Sequence, residues 1–213
     1  MRSFISTRLH HKDIDYAIDI IAPALLKERD AGRIAHLGIT ETAPNDIEHV
    51  VLPKAIDSGL FDVVMVAFHL LYQNARDAVF PLRREHGVAT LLMFAVCLVF
   101  SQPDRLRATL AELVANGQLP AALAEQEELF AFTTERAGLL GIIDAAYRYA
   151  RHEAGVDVVL FGTRSIEHLR TNIQSILAAP LPTQAIAMAG ERFGHLVGVG
   201  LDAPNNPAKP ATV

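Results

Sequence analysis

Three apolar, β-rich runs begin at Ile34, Phe61 and Val88, 27 residues apart, and a stretch of helical period separates each from the next. That interval holds one strand, one helix and two short connections, the repeat of a parallel βα unit. Strands that alternate with helices pair in parallel and keep their helices off the sheet, so the recurrence points to an α/β fold. Strands are predicted at 34–39, 61–68 and 88–96, and helices at about 16–31, 46–58 and 75–86. The first helix carries Ile18, Ile21, Leu25 and Leu26 on one face, and the second presents Ile47, Val50, Val51 and Ile56. Gly32, Gly59 and Gly87 stand where the three helices should stop.

After the third unit the rhythm breaks. Two helical stretches, about 104–116 and 135–154, come before the next strand at 156–161. Between them, 117–134 shows no β alternation and reads as an irregular loop. Helices at 165–178 and 183–193 complete the body, and 201–213, with its Pro and Asn-Pro signals, reads as a mobile tail. With a weak fifth strand near 4–9, the count is four or five strands, too few for a closed barrel of eight βα repeats. A single domain over 1–200 is expected, followed by the tail.

Composition narrows the function classes. Hydrophobic residues make up 51% of the 213 and mean hydropathy is +0.24, enough apolar surface for a globular core. The longest uncharged apolar run, 88–102, is too short to cross a bilayer, so no membrane partner is expected. Around Arg2 and Arg8 only Phe4, Ile5 and Leu9 are apolar, which is no signal-peptide core; a cytoplasmic chain is expected. Nineteen basic residues against 24 acidic ones give no global electrostatic reason to bind nucleic acid. Cys97, the single cysteine, excludes an internal disulfide framework and a thiolate zinc site, and reads as a buried, inert thiol. The histidines form no chelating pair with an acidic third ligand, so no metal site is expected. Neither the Gly-x-Gly-x-x-Gly dinucleotide fingerprint nor the Gly-x-Ser-x-Gly elbow occurs.

The strongest chemical signal runs from Phe161 to Asn172, directly after an apolar strand and into a helix. Gly162 permits a tight turn, Ser165 can cap the helix, and Arg164 adds positive charge beside the free N–H groups of the first turn. Such a place suits a phosphate, although a capped helix beside a solvated arginine has the same sequence.

With that loop in view, the chain resembles the aldo-keto reductases. Gly32-Arg33-Ile34-Ala35-His36-Leu37-Gly38-Ile39-Thr40 is similar to a family signature, Phe61 to Val66 to its sixth strand, Gly87 to Ala95 to its seventh, and the Gly162 to Asn172 segment to its adenosine-phosphate loop. The resemblance extends over about Leu9 to Leu177 and implies an incomplete (β/α)8 TIM barrel of about units four to eight. It also implies NADP(H) as cofactor and a small carbonyl compound as substrate, reduced with an Asp, Tyr, Lys and His tetrad. The family's Asp, Tyr and Lys belong to its first third, which has no counterpart here. Little or no reductase activity is therefore expected, with a noncatalytic nucleotide- or protein-binding chain as the alternative.

Carried over residue by residue, His10 takes the place of the family histidine, with His11 as its neighbour. Thr40 and Glu41 stand where many relatives hold the nicotinamide carboxamide with Ser-Asn, Met65 where they have Gln, and His69 where they often have Asn. Glu41 reads equally as a solvated loop acid, and His69 as a structural histidine. Phe94 takes the position of an aromatic that stacks on the nicotinamide. Gly162, Thr163, Arg164 and Ser165 match the phosphate loop, and His168 and Asn172 the 2′-phosphate and adenine positions. The Arg164 guanidinium points to NADP rather than NAD. Strand edges left open by missing units would favour self-association.

Overall fold

The computed structural model describes residues 4–9, 13–123 and 138–201. Five strands, β1 (Phe4–Leu9), β2 (His36–Glu41), β3 (Val63–Ala67), β4 (Ala89–Met93) and β5 (Val158–Val159), form one sheet in the order β1-β2-β3-β4-β5. Every neighbouring pair is parallel. Strand order never reverses, so all the right-handed crossovers put their helices on the same side of the sheet. A doubly wound sheet would reverse order and cover both faces.

Burial follows from this winding. Leu37, Ile39, Val64, Val66 and Leu92 point to the helices and are fully buried, whereas the alternating Val63, Met65, Leu91 and Met93 are half-buried and Val158 is exposed. A strand in a sheet sends alternate side chains to opposite faces. The helix-covered face is therefore the core, and the other is an apolar wall left partly open, as on the inside of an incomplete (β/α)8 barrel.

The helices depart from their predicted limits for identifiable reasons. Helix α1 begins as Ile14–Tyr16, widens through a π-helical stretch at Ala17–Ile21 and continues as Ala22–Asp30. Pro23 explains the widening: it has no N–H to give the carbonyl four residues back, and its ring crowds that carbonyl. The second helix is shorter than its periodicity suggested. α2 covers only Val51–Asp57, because Asp46 turns the preceding segment into a cap, its two carboxylate oxygens accepting the N–H groups of Val50 (2.8 Å) and Val51 (2.9 Å). Ile47 and Val50, expected on its apolar face, are consequently exposed. The third breaks at Val79 into α3 (Ala75–Ala78) and α4 (Phe80–Glu85), where Pro81 starts the second piece.

β4 stops at Met93, short of the predicted 96, because Phe94 adopts φ 67, a left-handed conformation that ends strand pairing. A short helix α5 (Leu98–Ser101) then precedes α6 (Pro103–Ala115), α7 (Gly138–Arg151), α8 (Ile166–Leu177) and α9 (Thr183–Phe193). β5 is reduced to two residues, since side chains replace the ladder at its start: Asp157 N–H donates to Thr90 Oγ1 (3.0 Å) and Thr90 N–H to Asp157 Oδ2 (2.8 Å). Asp62 makes a matching tie at the start of β3, accepting the Leu37 N–H at 2.9 Å. These carboxylates pin the N-terminal ends of the strands, leaving the loops at the opposite edge free to build a site. Among the described residues no helix is long and apolar enough to cross a membrane.

Candidate functional site

Parallel strands bring all their C-terminal ends to one edge, where an open α/β sheet places its ligands. The expected site residues fall there in two groups. Thr40 and Glu41 end β2, and Phe94 follows β4; Gly162, Thr163, Arg164 and Ser165 follow β5, with His168 and Asn172 on the first turns of α8. His10 and His11 lie outside the described residues.

At the β5 end, the loop is exposed and its local order comes from short side chains. Ser165 is extended (φ −107, ψ 129), and its Oγ accepts the His168 N–H at 3.3 Å, the geometry of an N-cap. Thr163 Oγ1 accepts the Ser165 N–H at 3.1 Å. Nothing lies within 4 Å of a Cβ built on Gly162, so space remains in front of the helix end. Arg164 and the side chain of His168 are exposed, and Asn172 is half-buried. Glu167, exposed in the same turn, brings a like charge to any anion bound there, so Arg164 must outweigh it.

The β2 end is buried. Thr40 is 6% exposed, its Oγ1 3.8 Å from the sulfur of Met65, the residue opposite it in register. Glu41 is not a solvated loop acid: it is fully buried, because it is the last residue of β2 rather than part of the loop. Its Oε1 accepts the Ala67 N–H at 2.7 Å, and its Oε2 lies 2.7 Å from His49 Nδ1. His49 is buried too and adopts φ 55, a left-handed conformation uncommon for residues other than glycine. Its Nε2 lies 3.1 Å from Asn74 Oδ1, and Asn74 Nδ2 and the Tyr72 hydroxyl both donate to Ile47 O at 2.8 Å. Burial works against a charged His49 ring, but the hydrogen bonds to Glu41 and Asn74 overcome it and the ring's pKa is raised. Burial raises that of Glu41, against the pull of His49 and the Ala67 amide.

Over this end runs the segment that follows α9. Val197 and Leu201 pack onto the same buried trio, Ala43, Ala67 and Tyr72, as do Met93 and Phe94. Gly198 and Gly200 let it lie so close: both have left-handed φ (72 and 71), and a Cβ would meet Ile47 at 3.1 Å and Val99 at 2.9 Å. His69, at the end of the β3 run, is buried against the edge of Phe100 and beside this strap, a structural position as expected. Cys97 is likewise buried.

Sequence reasoning missed His49, Asp46 and Asn74 as a unit, because they join through folding rather than spacing. One local signal existed: an Asp four and five residues before two β-branched residues is a cap, and would have put His49 in a loop. It also missed the strap, whose Gly-x-Gly sits among turn-like residues.

Comparison with known proteins matches the chain to one family. The model of the Aldo/keto reductase family covers residues 7–191. An uncharacterized oxidoreductase of Bacillus subtilis (strain 168), YqkF, is 26% identical over 179 residues, which are 84% of this chain and 56% of that protein. Among solved structures, the holo form of aldo-keto reductase AKR11C1 from Bacillus halodurans superposes with a TM-score of 0.59 at 22% identity, over 87% of this chain and 59% of its own. An aldo/keto reductase from Klebsiella pneumoniae in complex with NADP and acetate gives 0.53 at 15% identity, over 88% and 56%. The chain thus spans between half and three-fifths of the length of these proteins.

Proposed function

The chain belongs to the aldo/keto reductase family, and from that premise we propose that it binds the phosphate-bearing end of NADP(H) on the loop from Gly162 to Ser165. The observation that carries this reading is the exposed helix end capped by Ser165, with Arg164 beside it, at the C-terminal edge of the sheet. The donor set fits the group: free N–H groups at the start of α8, the Arg164 guanidinium and the His168 ring are all donors, and Gly162 leaves room for a phosphate to approach. Asn172 supplies an amide toward the adenine. Thr40 and Phe94 would frame the nicotinamide half, which when bound supplies a hydride. The solved Klebsiella pneumoniae relatives in complex with NADP and with NADPH support this cofactor.

On the same reading, the 213 residues hold the dinucleotide without the proton donor. His10 is the one member of the family's tetrad with a counterpart, and a histidine that orients a carbonyl does little where no Tyr and Lys protonate it. The substrate of a complete enzyme would be a small aldehyde or ketone. A titration following NADPH fluorescence tests the binding. Arg164→Ala is expected to weaken it by roughly tenfold to a hundredfold, the worth of one charge-assisted phosphate contact. NADPH affinity unchanged by that substitution would refute the assignment. NADPH-dependent turnover of an aldehyde by this chain, lost in Arg164→Ala, would refute its inactivity.

A second observation supports self-association. Ile166, Leu169, Ile173 and Leu177 recur on one side of α8 and are all exposed, beside the exposed Val158 and Leu160 at the β5 edge. An apolar stripe flanking a strand edge with no partner among the described residues is a surface for another βα layer.

A further inference from the structure

Among the described residues, one titratable cluster is wholly enclosed and takes no part in the phosphate loop: Glu41, His49 and Asp46, held with Asn74 and Tyr72 between the C-terminal ends of β2 and β3. Its proton positions can be worked out from its partners. Ile47 O can only accept, so the Asn74 atom 2.8 Å from it is the amide nitrogen, and Asn74 Oδ1 faces His49. An amide oxygen cannot donate, so His49 Nε2 carries a proton. On the other side of the ring, Glu41 Oε1 is taken by the Ala67 N–H, and Oε2 meets Nδ1 at 2.7 Å, a contact that needs one proton between two electronegative atoms. With that proton on nitrogen the pair is imidazolium and carboxylate, neutral together, and the Ala67 N–H on Oε1 with Asn74 Oδ1 facing Nε2 supplies each charged group with a further hydrogen bond.

The pair also does a mechanical task. The β2–β3 ladder has its last register pair at Thr40 and Met65, and beyond it the Glu41 side chain, rather than backbone, reaches across to the Ala67 amide. Through His49, the same carboxylate holds the loop 42–50 in its left-handed turn and ties it to Asn74 at the start of α3. Two loops at the mouth thus hang on one carboxylate and one ring. The surrounding groups keep to their own tasks: Asp46 caps α2, the Tyr72 ring lies 5.1 Å from the His49 ring while its hydroxyl donates to Ile47 O, and Glu48 is exposed.

We propose that Glu41 and His49 are positioning residues, an internal ion pair that sets the two loops framing the nicotinamide end while leaving the phosphate end untouched. The proposal rests on the dinucleotide reading above for its ligand, but not for its protonation state. Glu41 then serves the site by holding its frame, not as the carboxamide acceptor that the resemblance implied.

The test uses two ligands and one spectrum on the full chain. NADPH spans both ends, whereas adenosine 2′,5′-bisphosphate reaches only the phosphate end. Glu41→Gln and, separately, His49→Gln are expected to weaken NADPH by roughly tenfold or more through loss of preorganisation, and to leave the bisphosphate within about twofold. Equal losses for both ligands, or no loss for either, overturn the positioning role. If the unmodified chain binds neither ligand, the dinucleotide reading fails and the positioning role falls with it. The pair's protonation is then still judged by nitrogen-15 NMR of the His49 ring in the unmodified protein. Both ring nitrogens are expected to stay protonated above the pH at which an ordinary histidine loses its proton; a bare Nδ1, or a ring titrating near its ordinary value, overturns the ion pair even where the variants fail to fold.

Discussion

His69 and His49 show how the same side chain is driven in opposite directions by what surrounds it. His69 Nδ1 accepts the Leu71 N–H at 3.2 Å, so its one proton sits on Nε2, which faces the Val199 backbone without a hydrogen bond of ordinary geometry. Burial pushes its pKa down to about 3. Between about pH 6.5 and 3 the unfolded chain binds a proton that the folded one refuses, so stability falls as pH falls, by about 1.4 kcal/mol per unit over that window. His69→Asn is expected to flatten this acid limb in urea melts taken from pH 4 to 7, and an unchanged slope would refute it. His49 is raised instead, so its contribution is complete below its unfolded value and is lost as pH climbs through the folded one. Stability measured above neutral pH should therefore decline in the unmodified protein and stay flat in His49→Gln. Neither environment was legible in the sequence. His69 could be read as structural, because it follows an apolar strand, but the partners of His49 are Glu41, eight residues before it at the end of β2, and Asn74, 25 residues after it.

Among the elements, local chemistry decided where prediction held. α8 and α9 lie within a residue of the limits read from periodicity, since Ser165 caps one and the run Pro180 to Pro182 precedes the other. α1 and α2 differ because a single residue, Pro23 or Asp46, overrides an apolar period that continues through it. The strap behind α9 gives a sharper test. Gly200→Val would put a branched side chain at φ 71 and 2.9 Å from Val99, both strained and overpacked. A loss of about 2–4 kcal/mol is expected in chemical denaturation. Gly162→Ala, where nothing lies within 4 Å and φ is not left-handed, should cost less than about 1 kcal/mol.

At the scale of the whole molecule, the face of the sheet turned away from the helices is only partly covered. Its inner wall is apolar, and the β5 edge is flanked by the stripe on α8. Self-association should therefore appear in sedimentation velocity at micromolar concentration, and Ile173→Glu with Leu177→Glu should shift the population to monomer, each charge costing an apolar interface about 1–3 kcal/mol. A monomer that persists on concentration and melts cooperatively would count against it.

The repeat of 27 residues was enough, by itself, to establish three successive parallel βα units, and the run from Phe161 to Asn172 showed a capped strand-to-helix turn after the last strand. Those features are local: a strand, a helix stop and a capped turn are each encoded within about a dozen neighbouring residues. Tertiary structure alone decided which acid is buried, which histidine has its pKa raised and which lowered, and that the segment after α9 crosses the mouth. Burial and hydrogen-bond partnership depend on what folding brings from elsewhere in the chain: Glu41, read as a carboxamide acceptor or a solvated loop acid, is buried with Ala67 and His49 closed around its carboxylate.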